Sequence, residues 1–254
     1  MPWLKERRRR KIREQPFPAS WTGILVRNVP YYGLLPPEDQ EEMKGHIQVF
    51  LAEKRFEGLG GIEINDEIRV TIAAQACVLL LHRKTDYYPG LISILVYPHP
   101  YFVKATRRLP DGTVMEGDEV RLGESWSRGQ VVLSWDDVRR GAADAHDGLN
   151  VVFHEFAHQL DSESGKAQGA PVLPRSSMYI AWARVLGHEY EQLVEDLKHH
   201  RKNCLRSYGA TSPAEFFAVA TEAFFEQPNQ LLHCHPDLYE QLRLFFQQDP
   251  AHRL

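Results

Sequence analysis

Residues 213–226, PAEFFAVATEAFFE, form a helical pattern that is apolar on almost every side. A helix of that kind belongs inside a protein, not on its surface. Ser212 stands at the N-cap, Pro213 at the first helical position and Glu215 at the third, which together make a capping box. Glu215 and Glu222 are seven residues apart and therefore share one helical face. Carboxylates on so apolar a helix need a reason to face the protein, and a nearby cation would be one. A second segment, Glu67 to His82 with the run IAAQACVLLL, also reads as a nearly all-apolar buried helix, with Cys77 as a core residue.

The stretch NVVFHEFAHQLD, residues 150–161, carries the chemistry. Its helix has an apolar side in Val151, Val152, Phe153, Phe156, Ala157 and Leu160. Its polar stripe holds His154 and His158, one turn apart and able to face one ion. Glu155 is offset from His154 by about 100°. That places its carboxylate beside the ion, where it can act as a general base, and not on the ion itself. The same letters arise by chance on ordinary amphipathic helices in a few per cent of chains of this size, so the pattern needs a third ligand. A histidine at position 164 would complete the HExxHxxGxxH arrangement, but Ser164 stands there and Asp161 stands at the glycine position. A distant carboxylate remains, and from the residues alone Glu215 and Glu222 are equal candidates. Asp161 is either an acceptor for an imidazole N–H or a simple helix-end carboxylate.

Elsewhere Pro36–Pro37 opens a helix with Met43, Ile47, Phe50 and Leu51 on one face, ended by Gly58 to Gly61. Short strands are predicted at 62–64, 91–97, 113–122 and 130–135, with 123–129 as a connection. From about Trp135 the pattern is helical, over 150–162, 177–202, 213–226 and 236–248, with a loop at 165–174. Strands early and helices late predict an α+β fold, a small mixed sheet packed on a helical region.

With 43% hydrophobic and 25% charged residues, the 254-residue chain has the make-up of a soluble globular protein. Its formal charge of −4 argues against nucleic acid as a direct partner. No run approaches the roughly 18 apolar residues of a membrane span, and a cytoplasmic location is expected. The basic run Lys5 to Arg13 predicts a flexible tail over residues 1–18, followed by one domain over 19–254. Cys77, Cys204 and Cys234 are too few and too scattered for a disulfide framework, which suits a reducing compartment. His233-Cys234-His235 is read as a helix entry before Pro236, because adjacent residues rarely converge on one ion.

NVVFHEFAHQLD, YGATSPAEFFAVATEAFFEQP and GESWSRGQVVLSWDDV together resemble the bacterial Mlc titration factor A family of zinc-dependent peptidases, from about residue 20 to the end. That family is similar in its catalytic domain to the anthrax lethal factor protease. The resemblance implies a zincin-like fold and one zinc ion per chain, held by His154, His158 and Glu215. It makes Glu155 the general base, Tyr208 the donor to the transition-state oxyanion, and Glu222 a residue that orients an imidazole. It also implies peptide substrates, aminopeptidase-like activity on small ones, and a Mlc-like transcriptional repressor as a partner. In the alternative reading the chain acts mainly by sequestering such a repressor. An edge strand within 113–135 is expected to take extended peptide by strand addition. Two features depart from the pattern: Val219 stands where lethal factor has a second glutamate, and no histidine lies near Met115 to block the metal.

Overall fold

The apolar segment becomes helix α9 (Pro213–Glu226), with the Ser212 side chain accepting from the Glu215 N–H at 3.2 Å. Every residue from Phe216 to Glu226 is buried. The computed structural model in which this is seen describes residues 2–253 except 109–113, 122, 127–128, 164 and 166, and over 101–108, 114–121 and 123–126 it describes the backbone.

Helix α9 packs against α7 (Val151–Ser162), and against α8 (Tyr179–Lys198), α10 (Pro228–Cys234) and α11 (Pro236–Phe246). Its phenylalanines lock these helices together through ring contacts. Phe225 meets Phe153 of α7 with centroids 5.3 Å apart, Phe217 meets Trp182 of α8 at 5.8 Å, and Phe224 stacks on Phe246 of α11 at 5.6 Å. Such pairs contribute about 0.5–1.5 kcal/mol each beyond their buried area. The apolar side of α7 is buried as its pattern requires, leaving His154 and His158 half-buried toward α9.

The sheet lies beyond α7. Strands β1 (Arg55–Gly58), β2 (Ser93–Tyr97) and β6 (Gln130–Ser134) run parallel, and β5 (Gly123–Trp126) closes one edge antiparallel to β6. This edge strand runs beside α7. Ile94, Val96, Val131 and Leu133 are fully buried, as expected for parallel strands covered by helices. β3 (Tyr101–Arg108) and β4 (Val114–Arg121) form a separate antiparallel pair. Helices α4 (Pro37–Glu53), α5 (Asp66–Val78) and α6 (Trp135–Ala143) pack with α2 (Ala19–Asn28) and α3 (Pro30–Leu34) around the other side of the core. The α+β expectation with a small mixed sheet agrees with this arrangement. No helix among the described residues is long and apolar enough to cross a membrane.

Four expectations need correction. The predicted strand at 62–64 is irregular; the strand lies at 55–58, where RFEG joins the sheet edge by backbone pairing with β2 and shows no apolar alternation to betray it. Residues 123–126, read as a connection, are strand β5. The basic run is not a flexible tail but helix α1 (Pro2–Arg13), docked on α4. Arg9 is only 3% exposed, donating from Nε and Nη2 to both Glu53 oxygens at 2.8 and 2.7 Å and from Nη1 to Asp86 at 2.6 Å, over the ring of Tyr87. A guanidinium fork held by two carboxylates can be buried where a lysine could not. Finally, Cys204 and Cys234 are joined in a disulfide, and Cys77 alone is free and buried.

Candidate metal centre

Helix α7 is started by Asn150, whose side chain accepts from the Phe153 N–H at 2.9 Å. One turn on, His154 and His158 stand together with ring centroids 4.9 Å apart. Glu215 comes to them from the first turn of α9, so that a single carboxylate oxygen lies 2.9 Å from His154 Nε2 and 3.3 Å from His158 Nε2. The capping box is thus used in part: the Glu215 N–H bonds to Ser212, while the carboxylate reaches the histidines. These three ligand atoms form a mutually close set that could hold a metal ion.

The spacing can be tested against an ion. Two ligand atoms at about 2.0–2.1 Å from one tetrahedral centre lie about 3.3 Å apart. Observed separations of 2.9 and 3.3 Å are close to that edge, and two imidazoles with a carboxylate suit a borderline divalent ion. The residues fit the group.

Electrostatics point the same way. Burial opposes charge on His154, yet its hydrogen bonds to Glu215 and Glu222 raise its pKa to about 10. Burial likewise opposes ionisation of Glu215, but the bonds from His154 and His158 outweigh it and hold the carboxyl down to about 2. Carboxylate side chains thus bracket His154 at both nitrogens, Glu215 at Nε2 and Glu222 at Nδ1, where a cation is favoured.

Glu222 lies on the same face of α9 as Glu215, one step behind it. Buried at 2% exposure, it accepts from His154 Nδ1 at 2.7 Å and from the Asn150 N–H at 2.7 Å, and it pairs with Arg206. It orients the imidazole through the nitrogen away from Glu215. Glu155 is buried at 4% exposure on α7. Tyr208 lies in a short 3-10 turn before α9, half exposed, its ring centroid 5.8 Å from that of His154. Asp161 is fully buried and accepts the N–H groups of Gly169 and Ala170, both at 2.7 Å. It pins the loop that crosses the start of α9. Gly169 has φ +73°, and a Cβ there would sit 2.5 Å from the Pro213 carbonyl oxygen.

Three contributors were not found in the sequence. Arg206 had a signal in its position two residues before Tyr208. Asn150 also donates to Glu226 at 2.9 Å and to the Gly141 carbonyl at 3.2 Å, and Glu226 ends the polar chain behind the centre. Nothing in the local sequence distinguishes Glu226 from a helix-end carboxylate. A cleft of about 420 Å³ lined by Arg175, Met178, Arg243 and Gln247 shares no residue with this centre.

A histidine pair on one helix, met by a glutamate from another and backed by a buried carboxylate, is the kind of centre that metal-dependent hydrolases use. Comparison with known proteins agrees in class. The glucose-regulated metallo-peptidase family M90 matches residues 3–247, and the chain belongs to that family of metallopeptidases. It is 42% identical over 250 residues to an uncharacterized protein of Synechocystis, covering 98% of this chain and 90% of that one. It is 34% identical to the Mlc titration factor A of Serratia proteamaculans, covering 93% and 89% of the two chains. Against the Mlc titration factor A of Escherichia fergusonii the identity is 31%, covering 92% and 88%.

Proposed function

We propose that the chain is a zinc-dependent peptidase of zincin-like fold that hydrolyses peptide bonds, aminopeptidase-like on small substrates. His154, His158 and Glu215 would hold one zinc ion per chain. The observation that carries the reading is the convergence of two imidazole nitrogens from α7 on one carboxylate oxygen from α9. Family membership supports it, since a metallopeptidase requires a metal.

When bound, zinc would polarise the scissile carbonyl and acidify the attacking water. Glu155, one residue from a ligand and excluded from bulk solvent, takes the proton from that water and returns it to the leaving amine. Tyr208 donates from its phenol to the developing oxyanion, a role open to a neutral donor beside the His154 ring. Glu222 holds the His154 Nδ1–H, fixing the tautomer that leaves Nε2 free for the metal. The antiparallel edge strand β5, beside α7, offers an extended peptide a backbone to pair with.

Glu155→Gln tests this. It should abolish hydrolysis of aminoacyl chromogenic substrates while the variant keeps its metal and its fold. Hydrolysis at the wild-type rate would refute the assignment. A cytoplasmic location and a Mlc-like repressor as partner belong to the same proposal, the second supported by the name of the relatives. A phenotype that survives Glu155→Gln would point to sequestration as the main role.

A further inference from the structure

The segment that brings Arg206 and Tyr208 to the metal centre is fastened from behind by a covalent bond. Cys204, two residues before Arg206, is joined to Cys234 at the end of α10, across 30 residues of sequence. Weaker ties flank it. Asn203 donates to Asp196 at 2.8 Å and accepts the Leu205 N–H at 2.9 Å, and His235 spans Glu189 and Asn203 at 2.7 and 3.1 Å. Leu205 is buried. From this anchored stem Arg206 reaches Glu222, the carboxylate that orients His154. Cys234 lies exposed and Cys204 half-buried, so the bond is open to attack, unlike the fully buried Cys77.

We propose that Cys204–Cys234 is a redox-active disulfide whose opening by a dithiol loosens the metal centre through Arg206 and Glu222. The proposal rests on the reading that His154, His158 and Glu215 hold the metal. A thiolate of the dithiol attacks one sulfur of the pair and expels the other as a thiolate, forming a mixed disulfide. The second thiol of the reagent then resolves it, so two electrons and two protons pass to the cysteines and the dithiol ends as its own disulfide. Asn203 and Leu205 keep the freed segment near its place, but Arg206 no longer has a fixed stem. Loss of a partner behind a metal-ligating histidine weakens metal affinity about 10–100-fold. A loosened partner belongs at the lower end, about tenfold.

The full-length protein decides it, compared as isolated in air, after reduction by a dithiol, and as the double variant Cys204→Ser/Cys234→Ser. The reductant is removed before assay because dithiols bind zinc themselves. Alkylation and mass measurement count the free thiols, chelator competition reads zinc retention, and hydrogen exchange reads the amides of 203–210. In the air-isolated protein one cysteine is expected to be free, and reduction should release the other two. Reduced protein and double variant should both lose zinc about tenfold more easily and exchange faster over 203–210, the variant without response to dithiol. Equal zinc retention and exchange in all three states overturns the proposal, as does an air-isolated protein with every cysteine free. An air-isolated protein that binds no zinc at all overturns the metal reading instead, and exchange over 203–210 then still decides whether the bond fastens the segment.

Discussion

The polar chain behind the metal centre ends in a carboxyl group whose cost can be read from pH. Glu226 is 2% exposed and accepts from the Asn150 side chain at 2.9 Å, while its other oxygen has no hydrogen-bond partner among the described residues. Burial, with Asp147 and Glu222 nearby, pushes its pKa up to about 9. The folded protein therefore keeps a proton there that the unfolded chain releases above its ordinary pKa of about 4.3. Between those two values the native state binds more protons than the unfolded state, so stability falls as pH rises. At about pH 7.5 this amounts to roughly 4 kcal/mol, at about 1.4 kcal/mol per pH unit, and at about pH 5 to roughly 1 kcal/mol.

Glu226→Gln removes the titration while keeping an oxygen for Asn150 to donate to. Any fixed offset from the extra amide donors does not depend on pH. Urea unfolding of wild type and variant across this range should show a stability difference that moves in favour of the variant by about 3 kcal/mol from pH 5 to 7.5. A difference that stays flat with pH would mean instead that Glu226 ionises equally in the folded and unfolded states.

Other changes have equally definite outcomes. Glu222→Ala removes the acceptor for His154 Nδ1 and should weaken zinc retention in chelator competition by about 10–100-fold. Gly169→Ala meets both a positive φ and the Pro213 carbonyl, and should lower stability by more than about 1 kcal/mol in thermal unfolding. Arg9→Ala leaves Glu53 without its fork and should cost about 1–3 kcal/mol, with α1 becoming the first segment cut by protease.

What the sequence disclosed followed local periodicity. Helices α7 and α9 were legible almost to the residue because each carries an apolar pattern, and α9 also carries a readable cap in Ser212-Pro213 before AEFF. The same patterns put His154 and His158 on one stripe and Glu215 and Glu222 on one face, and choosing Glu215 over Glu222 needed the family resemblance. What stayed hidden depends on partners distant in sequence. Arg9 is buried by Glu53 and Asp86, 44 and 77 residues away, and no local feature separates it from the exposed arginines beside it. Cys204 and Cys234 meet only because α9 and α10 fold between them. Strand β1 is made by pairing to β2 and has no alternation of its own. Arg206 and Asn150 act through Glu222, so their roles became visible only once α7 and α9 were set side by side.

Metal content by elemental analysis, wild type against Glu215→Ala, tests directly whether two histidines and this one carboxylate hold the ion. Two histidines one turn apart bind an ion weakly without a third ligand, and Glu215 supplies the oxygen on which both converge. One zinc per chain in the wild type and little in Glu215→Ala is the predicted result. A Glu215→Ala protein that is folded and keeps its full complement of zinc would mean that Glu215 is not a ligand.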